Sequence, residues 1–345
     1  MSKRRIILTI IGLGVLIGVG WHQIHTSPEW KNFTWEAVWS ATQEAKLGFI
    51  AGAVVLIYAS YLLRSLRWRA LMTPHGKFWP VLKGTLIGFT GIAFFGRPGE
   101  LLRPYYIARK HATSVAPQLA VWLLERAFDM GATLVLVLAA LLLSPGLASG
   151  EDAASVALRH AVWLLAVAVL LAVAGIALFH KYSQRILARL RGRFARGGRR
   201  MSQRLEHFLH TLAAGTKALS RRRNLLVSSF YTLSMWMGVA VAVWLIVRGY
   251  PGMLPGFSYG EALVLLGFLL VGSIVQLPAI GGGVQVLLIL GLTEVFGAPA
   301  APAASASLLM WLVAFYAVAP LGAALAAREG ISWKAMEHEA ELASR

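Results

Sequence analysis

The chain has 345 residues, of which 57% are hydrophobic and only 14% charged, and its mean hydropathy is +0.65. A soluble domain carries about 25% charged residues, so this composition argues against a soluble protein and for a multi-pass membrane protein. The net charge is +18, yet 13 of the 33 Lys and Arg residues lie in one connector, residues 181–223, with Glu206 as its only acid. Basic connectors are typical of cytoplasmic loops and face anionic headgroups, so we expect no nucleic-acid partner. Because the chain has no Cys, it has no disulfide or thiolate chemistry.

Basic residues 3–5 place the N-terminus in the cytoplasm, and the first half of the chain, about residues 5–143, starts there. The first span, residues 6–21, then crosses outward, and we expect no signal-peptide cleavage after it. Residues 47–63 cross back. They are followed by Arg64, Arg67 and Arg69, which mark the cytoplasmic side and are candidates for headgroup contact.

The apolar run 86–95 is about half of the ~20 residues that a crossing needs. Residues 96–104 follow it directly and contain three charges, two prolines and two glycines, among them Pro98, Gly99 and Pro104. Irregular charged backbone at membrane depth is tolerated only where protein or a water-filled cavity shields it. We therefore predict a re-entrant hairpin that enters from the cytoplasm, and an outward span over residues 118–143.

The second half, residues 160–327, returns through residues 161–179 to the basic connector 181–223, in which apolar residues recur at helical spacing. This spacing predicts an amphipathic helix on the inner leaflet. Residues 225–247 cross outward, residues 303–327 cross inward, and the tail 328–345 is cytoplasmic.

Between those last two spans, the apolar run 262–277 is followed by four helix-breaking residues, namely Pro278, Gly281, Gly282 and Gly283. A second apolar run, residues 284–296, comes next and includes Gln285. This break predicts a second re-entrant hairpin that enters from outside, although a kinked ordinary span is an alternative. The two halves then match with opposite orientation, as in secondary transporters. The predicted fold is all-α, a single domain over residues 1–327 in a bacterial-type plasma membrane, with about six spans, two opposed re-entrant hairpins and both termini cytoplasmic.

Three charges in the first hairpin, Arg97, Glu100 and Arg103, are spaced by three residues and would share one face of a helix. Each charge at this depth costs about 3 kcal/mol or more unless it is paired or hydrated. One positive charge remains after internal pairing, and guanidinium groups bind phosphate through paired hydrogen bonds. These residues therefore form either a cationic clamp for an anionic headgroup or a self-neutralising structural triad.

A second set of charges, Glu125, Arg126 and Asp129, lies inside the span 118–143. We expect Arg97 or Arg103 to face Glu125 or Asp129. Such a network would act as a scaffold, a gate or a proton relay. Neither a His-Glu-x-x-His motif nor a phosphate-binding Walker loop is present, so we predict no metal and no cofactor.

The segment 96–104, the charges at Glu125, Arg126 and Asp129, and residues 276–283 together resemble the membrane region of lysylphosphatidylglycerol synthases. The resemblance covers residues 5–327 and implies a flippase-like protein that handles anionic or polyisoprenoid lipids through twin re-entrant hairpins. Two departures stand out. Only residues 328–345 follow the membrane region, so we expect no aminoacyl transfer, and Gln285 lies where the family typically has a Glu.

We therefore predict a lipid transporter in which Arg97, Arg103, Arg67 and Arg69 hold the headgroup. The alternatives are a non-transporting partner that recruits a lipid-modifying enzyme, or an intramembrane transferase or hydrolase with Glu100 or Asp129 as base. We favour a protein that is not an enzyme, because no nucleophile or metal set accompanies those carboxylates. Anionic phospholipid, isoprenoid phosphate and hopanoid-like lipids all fit as cargo, and a lipid-biosynthesis enzyme fits as a partner.

Overall fold

A computed structural model describes residues 34–72, 76–143, 222–273, 276–277 and 281–331, together with scattered helical residues between 156 and 178. The regular secondary structure of the described residues is helical apart from one pair of two-residue strands. Its elements are α1 Trp35–Glu44, α2 Leu47–Leu71, α3 Phe78–Phe95, α4 Leu102–Lys110, α5 Val115–Leu143, α6 Arg222–Arg248, α7 Tyr259–Gly272, β1 Gln276–Leu277, β2 Gly281–Gly282, α8 Gly283–Leu290, α9 Ala300–Trp311 and α10 Ala319–Arg328.

Four helices of the described part are long and apolar enough to cross a membrane, namely Leu47–Leu71, Phe78–Phe95, Arg222–Arg248 and Ala300–Arg328. The last of these contains both α9 and α10, which follow one another in a single span. The 29-residue helix α5 is of similar length but carries the second set of charges. The predicted first span 6–21, the amphipathic part of the connector and most of the tail lie outside the described residues, and the predicted span 161–179 is described only at scattered positions.

Two helices are longer than their apolar runs indicate. Helix α2 continues to Leu71, because residues 64–71 contain no Gly or Pro, whereas the predicted span ends at residue 63. Helix α3 begins at Phe78 rather than near residue 86, with Pro80 in its first turn, where the missing N–H removes no helical hydrogen bond. Its length of 18 residues corrects the expectation of a half-length helix before residue 96.

The chain folds back on itself after α3. Gly96 has φ +67°, a left-handed conformation that ends the helix, and a 3₁₀ turn over Arg97–Leu101 leads into α4. The returning chain lies directly against α3, since a Cβ on Gly88 would be 2.6 Å from the Arg103 Cβ, and one on Gly99 would overlap the Gly91 carbonyl group. We call this α3–turn–α4 unit hairpin one.

A second helical hairpin is formed by α7 and α8, and we call it hairpin two. Ser258 and Glu261 form a capping box at the start of α7. At the other end, β1 and β2 pair antiparallel, with Gln276 opposite Gly282. A Cβ on Gly272 would lie 2.5 Å from the Gly283 carbonyl oxygen, so the two helices nearly touch where the chain turns.

The two halves of the chain pack extensively against each other. Helices α2 and α6 make the most extensive interhelical contact. Hairpin one packs on α10, and hairpin two packs on α5, so each hairpin contacts the last helix of the other half. Glu329, just after α10, pairs with Lys83 of α3 and Lys110 of α4 at 2.6 and 2.5 Å. This packing brings the turns of both hairpins into contact with each other.

Candidate functional site

The turns of the two hairpins are in direct contact. The Arg97 Nε donates a hydrogen bond to the Ser273 carbonyl oxygen, and the Arg97 Nη2 donates one to the Ser273 Oγ, both at 2.7 Å. Ser273 lies at the C-terminal end of α7. Sequence analysis missed Ser273, since a lone serine at the end of an apolar helix carries no charge or motif. The contact links the two halves of the chain at the point where both change direction.

Beneath the turns, two arginines and two carboxylates form a buried group that we call the inner cluster. Arg67 is fully buried and donates to Asp129 at 2.6 Å and to Glu125 at 2.5 Å. Arg103 donates to both Glu125 oxygens at 2.9 and 3.1 Å, and its guanidinium lies 4.1 Å from the centre of the Trp68 ring. The inner cluster is formally neutral and ties α2, α4 and α5 together.

Two side chains of α6 complete the hydrogen bonding of the inner cluster. The Thr232 Oγ1 accepts from Arg67 at 2.9 Å, and the Trp236 indole N–H donates to Asp129 at 3.0 Å. A buried ion pair is stable only when its remaining donors and acceptors are also satisfied. These two hydrogen bonds therefore hold α6 against the charged helices.

A second group, which we call the outer cluster, consists of Arg64, Arg97, Glu100 and Arg126. Glu100 lies 3.2 Å from Arg126 and 3.6 Å from Arg97. The Arg64 guanidinium lies about 5 Å from the centres of the Phe89 and Trp236 rings, at 5.1 and 5.0 Å. Arg97 and Arg126 are the most accessible charges of the two clusters, with 36% and 29% of their side chains exposed.

All four residues of the outer cluster line one cavity of about 620 Å³, counting the part that opens to the outside. The rest of its wall is uncharged and mostly apolar; these residues are Ile57, Ser60, Tyr61, Phe89, Ile92, Trp236, Val239, Leu269, Leu270, Ser273, Ala314 and Phe315. The cavity therefore combines a cationic patch with an apolar wall, and both hairpin turns reach it. This arrangement can bind an anionic group that is attached to a hydrocarbon chain.

The structure brings together eight of the nine charged residues that the sequence singles out: Arg64, Arg67, Arg97, Glu100, Arg103, Glu125, Arg126 and Asp129. Arg69, the ninth, is elsewhere. It is exposed and lines a separate cavity with Arg223, Asn224 and Tyr231. Arg67 is enclosed between carboxylates and does not line the central cavity. Arg64, three residues before Arg67 on the same helix face, does line it.

The predicted hinge residues occupy turns and helix starts. Pro98 and Gly99 lie in the 3₁₀ turn, Pro104 lies in the first turn of α4, and Pro278 is outside the described residues. The Gln285 Oε1 accepts the Gly282 N–H at 2.7 Å and so caps the start of α8. An amide thus makes this capping bond without adding a negative charge to hairpin two.

No set of three or more His, Cys, Asp or Glu residues that could hold a metal ion occurs in the part of the chain that the structure describes. Neither the curated proteins nor the solved structures include a match to this chain. One family does match, and it covers residues 9–322, nearly the whole chain. The helices of this chain enclose charged residues among apolar ones, which fits a membrane domain linked to lipid handling. The chain belongs to the family described as the lysylphosphatidylglycerol synthase TM region.

Proposed function

We propose that this protein moves a lipid with an anionic headgroup from one leaflet of the membrane to the other. The observation that carries the proposal is the outer cluster, in which three arginines and a single carboxylate face a cavity with an apolar wall. Guanidinium groups bind phosphate through paired hydrogen bonds, and an apolar wall accepts the first part of an acyl or isoprenoid chain. Arg97 is the primary headgroup ligand, with Arg126 and Arg64 beside it.

Alternating access follows from the order of the elements. Helix α2, hairpin one and α5 form one repeat, and α6, hairpin two and the α9–α10 helix form the other. We propose that the repeats are inverted, that both hairpins are re-entrant, and that about six helices span the membrane. One repeat rocks against the other around the cavity. The Arg97–Ser273 contact between the turns breaks when the headgroup takes over the guanidinium, which couples binding to opening.

We propose no catalytic step. Each carboxylate of the two clusters contacts at least two guanidiniums: Glu100 meets Arg97 and Arg126, and Glu125 meets Arg67 and Arg103. Asp129 meets Arg67 and Arg126. A general base must be available to accept a substrate proton, and arginines engage all three carboxylates, including Glu100, which lines the cavity.

The experiment is a transport assay in proteoliposomes that contain a fluorescent phosphatidylglycerol in both leaflets. A membrane-impermeant reductant bleaches the outer label, and the further loss of signal measures exchange between leaflets. We expect Arg97→Gln to slow exchange at least tenfold, because it removes the most accessible cation of the cavity. The matched control is Arg109→Gln, which removes an exposed arginine from the same hairpin outside the cavity. Equal rates for wild type and Arg97→Gln would overturn the proposal.

A deletion distinguishes a transporter from a protein that recruits a lipid-modifying enzyme. Deleting residues 181–221, most of the basic connector, removes the surface that a recruiter needs, so a recruiter would lose its function entirely. A transporter retains its turnover after this deletion and loses only part of its apparent lipid affinity, since each basic residue near the surface contributes about 1 kcal/mol of attraction to anionic lipid.

A further inference from the structure

We infer that the headgroup bound in the cavity is a phosphate monoester that carries two negative charges, rather than a singly charged phosphodiester. The inference rests on the proposed function and names the class of its cargo. It starts from where the uncompensated charge of the two clusters lies.

The inner cluster is balanced, since Arg67 and Arg103 oppose Glu125 and Asp129. The two clusters are connected, because Asp129 also lies 3.0 Å from Arg126 and 3.7 Å from Arg64. Five arginines of the connected network therefore share three carboxylates, which leaves a formal excess of two positive charges. Three of the arginines, Arg64, Arg97 and Arg126, line the cavity, and the residues that line it besides these and Glu100 are uncharged in the described part of the chain.

A formal excess of two positive charges is costly beside an apolar wall, even where the guanidiniums are only partly buried. A dianion cancels the excess completely, whereas a monoanion leaves one positive charge in place. Some donors also lack acceptors, since the Arg64 Nε and the Arg126 Nε are buried and make no hydrogen bond. The excess positive charge and these two donors both favour an anionic ligand.

The number of arginines also fits a monoester. A phosphate monoester presents three terminal oxygens, each a strong acceptor, whereas a phosphodiester presents two. The three guanidiniums reach the cavity from three different elements, namely α2, the turn of hairpin one, and α5. Arginines that converge from separate elements can each bind a separate oxygen.

Free inorganic phosphate has the same headgroup chemistry, and the cavity wall distinguishes the two sources. Most of the wall is apolar, with Ile57, Ile92, Val239 and Leu270 among its residues. An inorganic ion would leave this apolar surface unfilled, while a lipid covers it with the first part of its chain. We therefore assign a lipid phosphate monoester.

The test compares phosphatidic acid, a monoester, with phosphatidylglycerol, a diester of equal chain length, in the transport assay. At pH 8 we expect exchange of phosphatidic acid to be on the order of tenfold faster, the effect of one additional charge pair. At pH 5 the monoester gains a proton, since its second pKa is near 6, and the ratio should fall toward one. The titratable and charged groups facing the headgroup are Tyr61, Arg64, Arg97, Glu100 and Arg126, and they affect both lipids alike.

Charge variants provide the second arm. Glu100→Gln raises the formal excess to three and should preserve the preference for phosphatidic acid, whereas Arg126→Gln lowers it to one and should abolish the preference. A ratio near one at pH 8, or a ratio unaffected by Arg126→Gln, would overturn the inference.

Binding is measured separately by native mass spectrometry with each lipid and with inorganic phosphate. If both lipids are exchanged equally, the proposed function stands and the inference fails. If neither lipid is exchanged but phosphatidic acid binds preferentially, the assignment of the ligand stands and the transport proposal fails. Inorganic phosphate that competes as strongly as the lipid would identify the ligand as a free anion and contradict the inference.

Discussion

Glu125 is the carboxylate on which the inner cluster depends, and Glu125→Gln is the substitution that tests it. The side chain is 1% exposed and accepts hydrogen bonds from Arg67 at 2.5 Å and from Arg103 at 2.9 and 3.1 Å. The amide keeps the shape but removes the charge and one acceptor, so the buried guanidiniums of Arg67 and Arg103 both lose a carboxylate partner. Breaking a buried ion pair costs about 3–5 kcal/mol, which corresponds to about 5–10 °C in melting temperature.

The assay is thermal unfolding of the detergent-solubilised protein, with Glu261→Gln as the control. Glu261 is an exposed capping-box residue, and its loss should cost about 1 kcal/mol or less. Adding Arg103→Met to Glu125→Gln removes the unpaired cation and should restore most of the stability, because the two residues interact directly. A Glu125→Gln variant that melts within 1 °C of wild type, or a double variant less stable than the single one, would refute the reasoning.

Two further predictions concern hairpin one. Gly99→Ala should prevent the turn from closing, because the new Cβ overlaps the Gly91 carbonyl group and backbone atoms cannot rotate away; we expect a loss of about 3 kcal/mol or more, or aggregation in size-exclusion chromatography. Gly131→Ala, which places a Cβ in open space within α5, should be neutral or stabilise by up to about 1 kcal/mol, and equal behaviour of the two variants would contradict the packing. Hydrogen bonds from Lys110 and Lys83 lower the pKa of Glu329 from 4.5 to about 2. The lowered pKa means that this contact stabilises the folded state above pH 4.5 and that the stabilisation is lost as the pH falls toward 2. Because both lysines are exposed and the contact is screened by solvent on that side, Glu329→Gln should lower the melting temperature by about 2 °C at pH 7 and by less at pH 3. A difference that grows on acidification would contradict the assignment.

Charged residues within apolar runs were the features that sequence analysis read most reliably. Glu125 and Asp129 stand out because they occur at helical spacing where lipid-facing residues are expected, and Gly96–Pro104 stands out because it interrupts a run. The structure places these residues in one network. Hydropathy alone ends a span at its first charge, so Arg64 and Arg67 were taken as residues at the membrane surface. The helix continues to Leu71 because residues 64–71 contain no Gly or Pro, and both arginines are buried.

Contacts between distant segments could not be read from the sequence. The Arg97–Ser273 bond joins residues 176 positions apart, and neither side chain indicates the other. The excess of positive charge at the cavity also depends on contacts between distant segments. It follows from which arginines line the cavity and which are enclosed between the buried carboxylates. Local pattern gives the inventory of charges, and tertiary packing decides which of them remain available to a ligand.

The most direct test of the central claim is native mass spectrometry of the protein extracted in mild detergent, with wild type, Arg97→Gln and Arg109→Gln measured side by side. We predict that an anionic lipid co-purifies with wild type and with Arg109→Gln and is lost from Arg97→Gln. Retention of the same lipids by all three proteins would mean that Arg97 only holds the two hairpin turns together, and it would contradict the account of the cavity as a headgroup site.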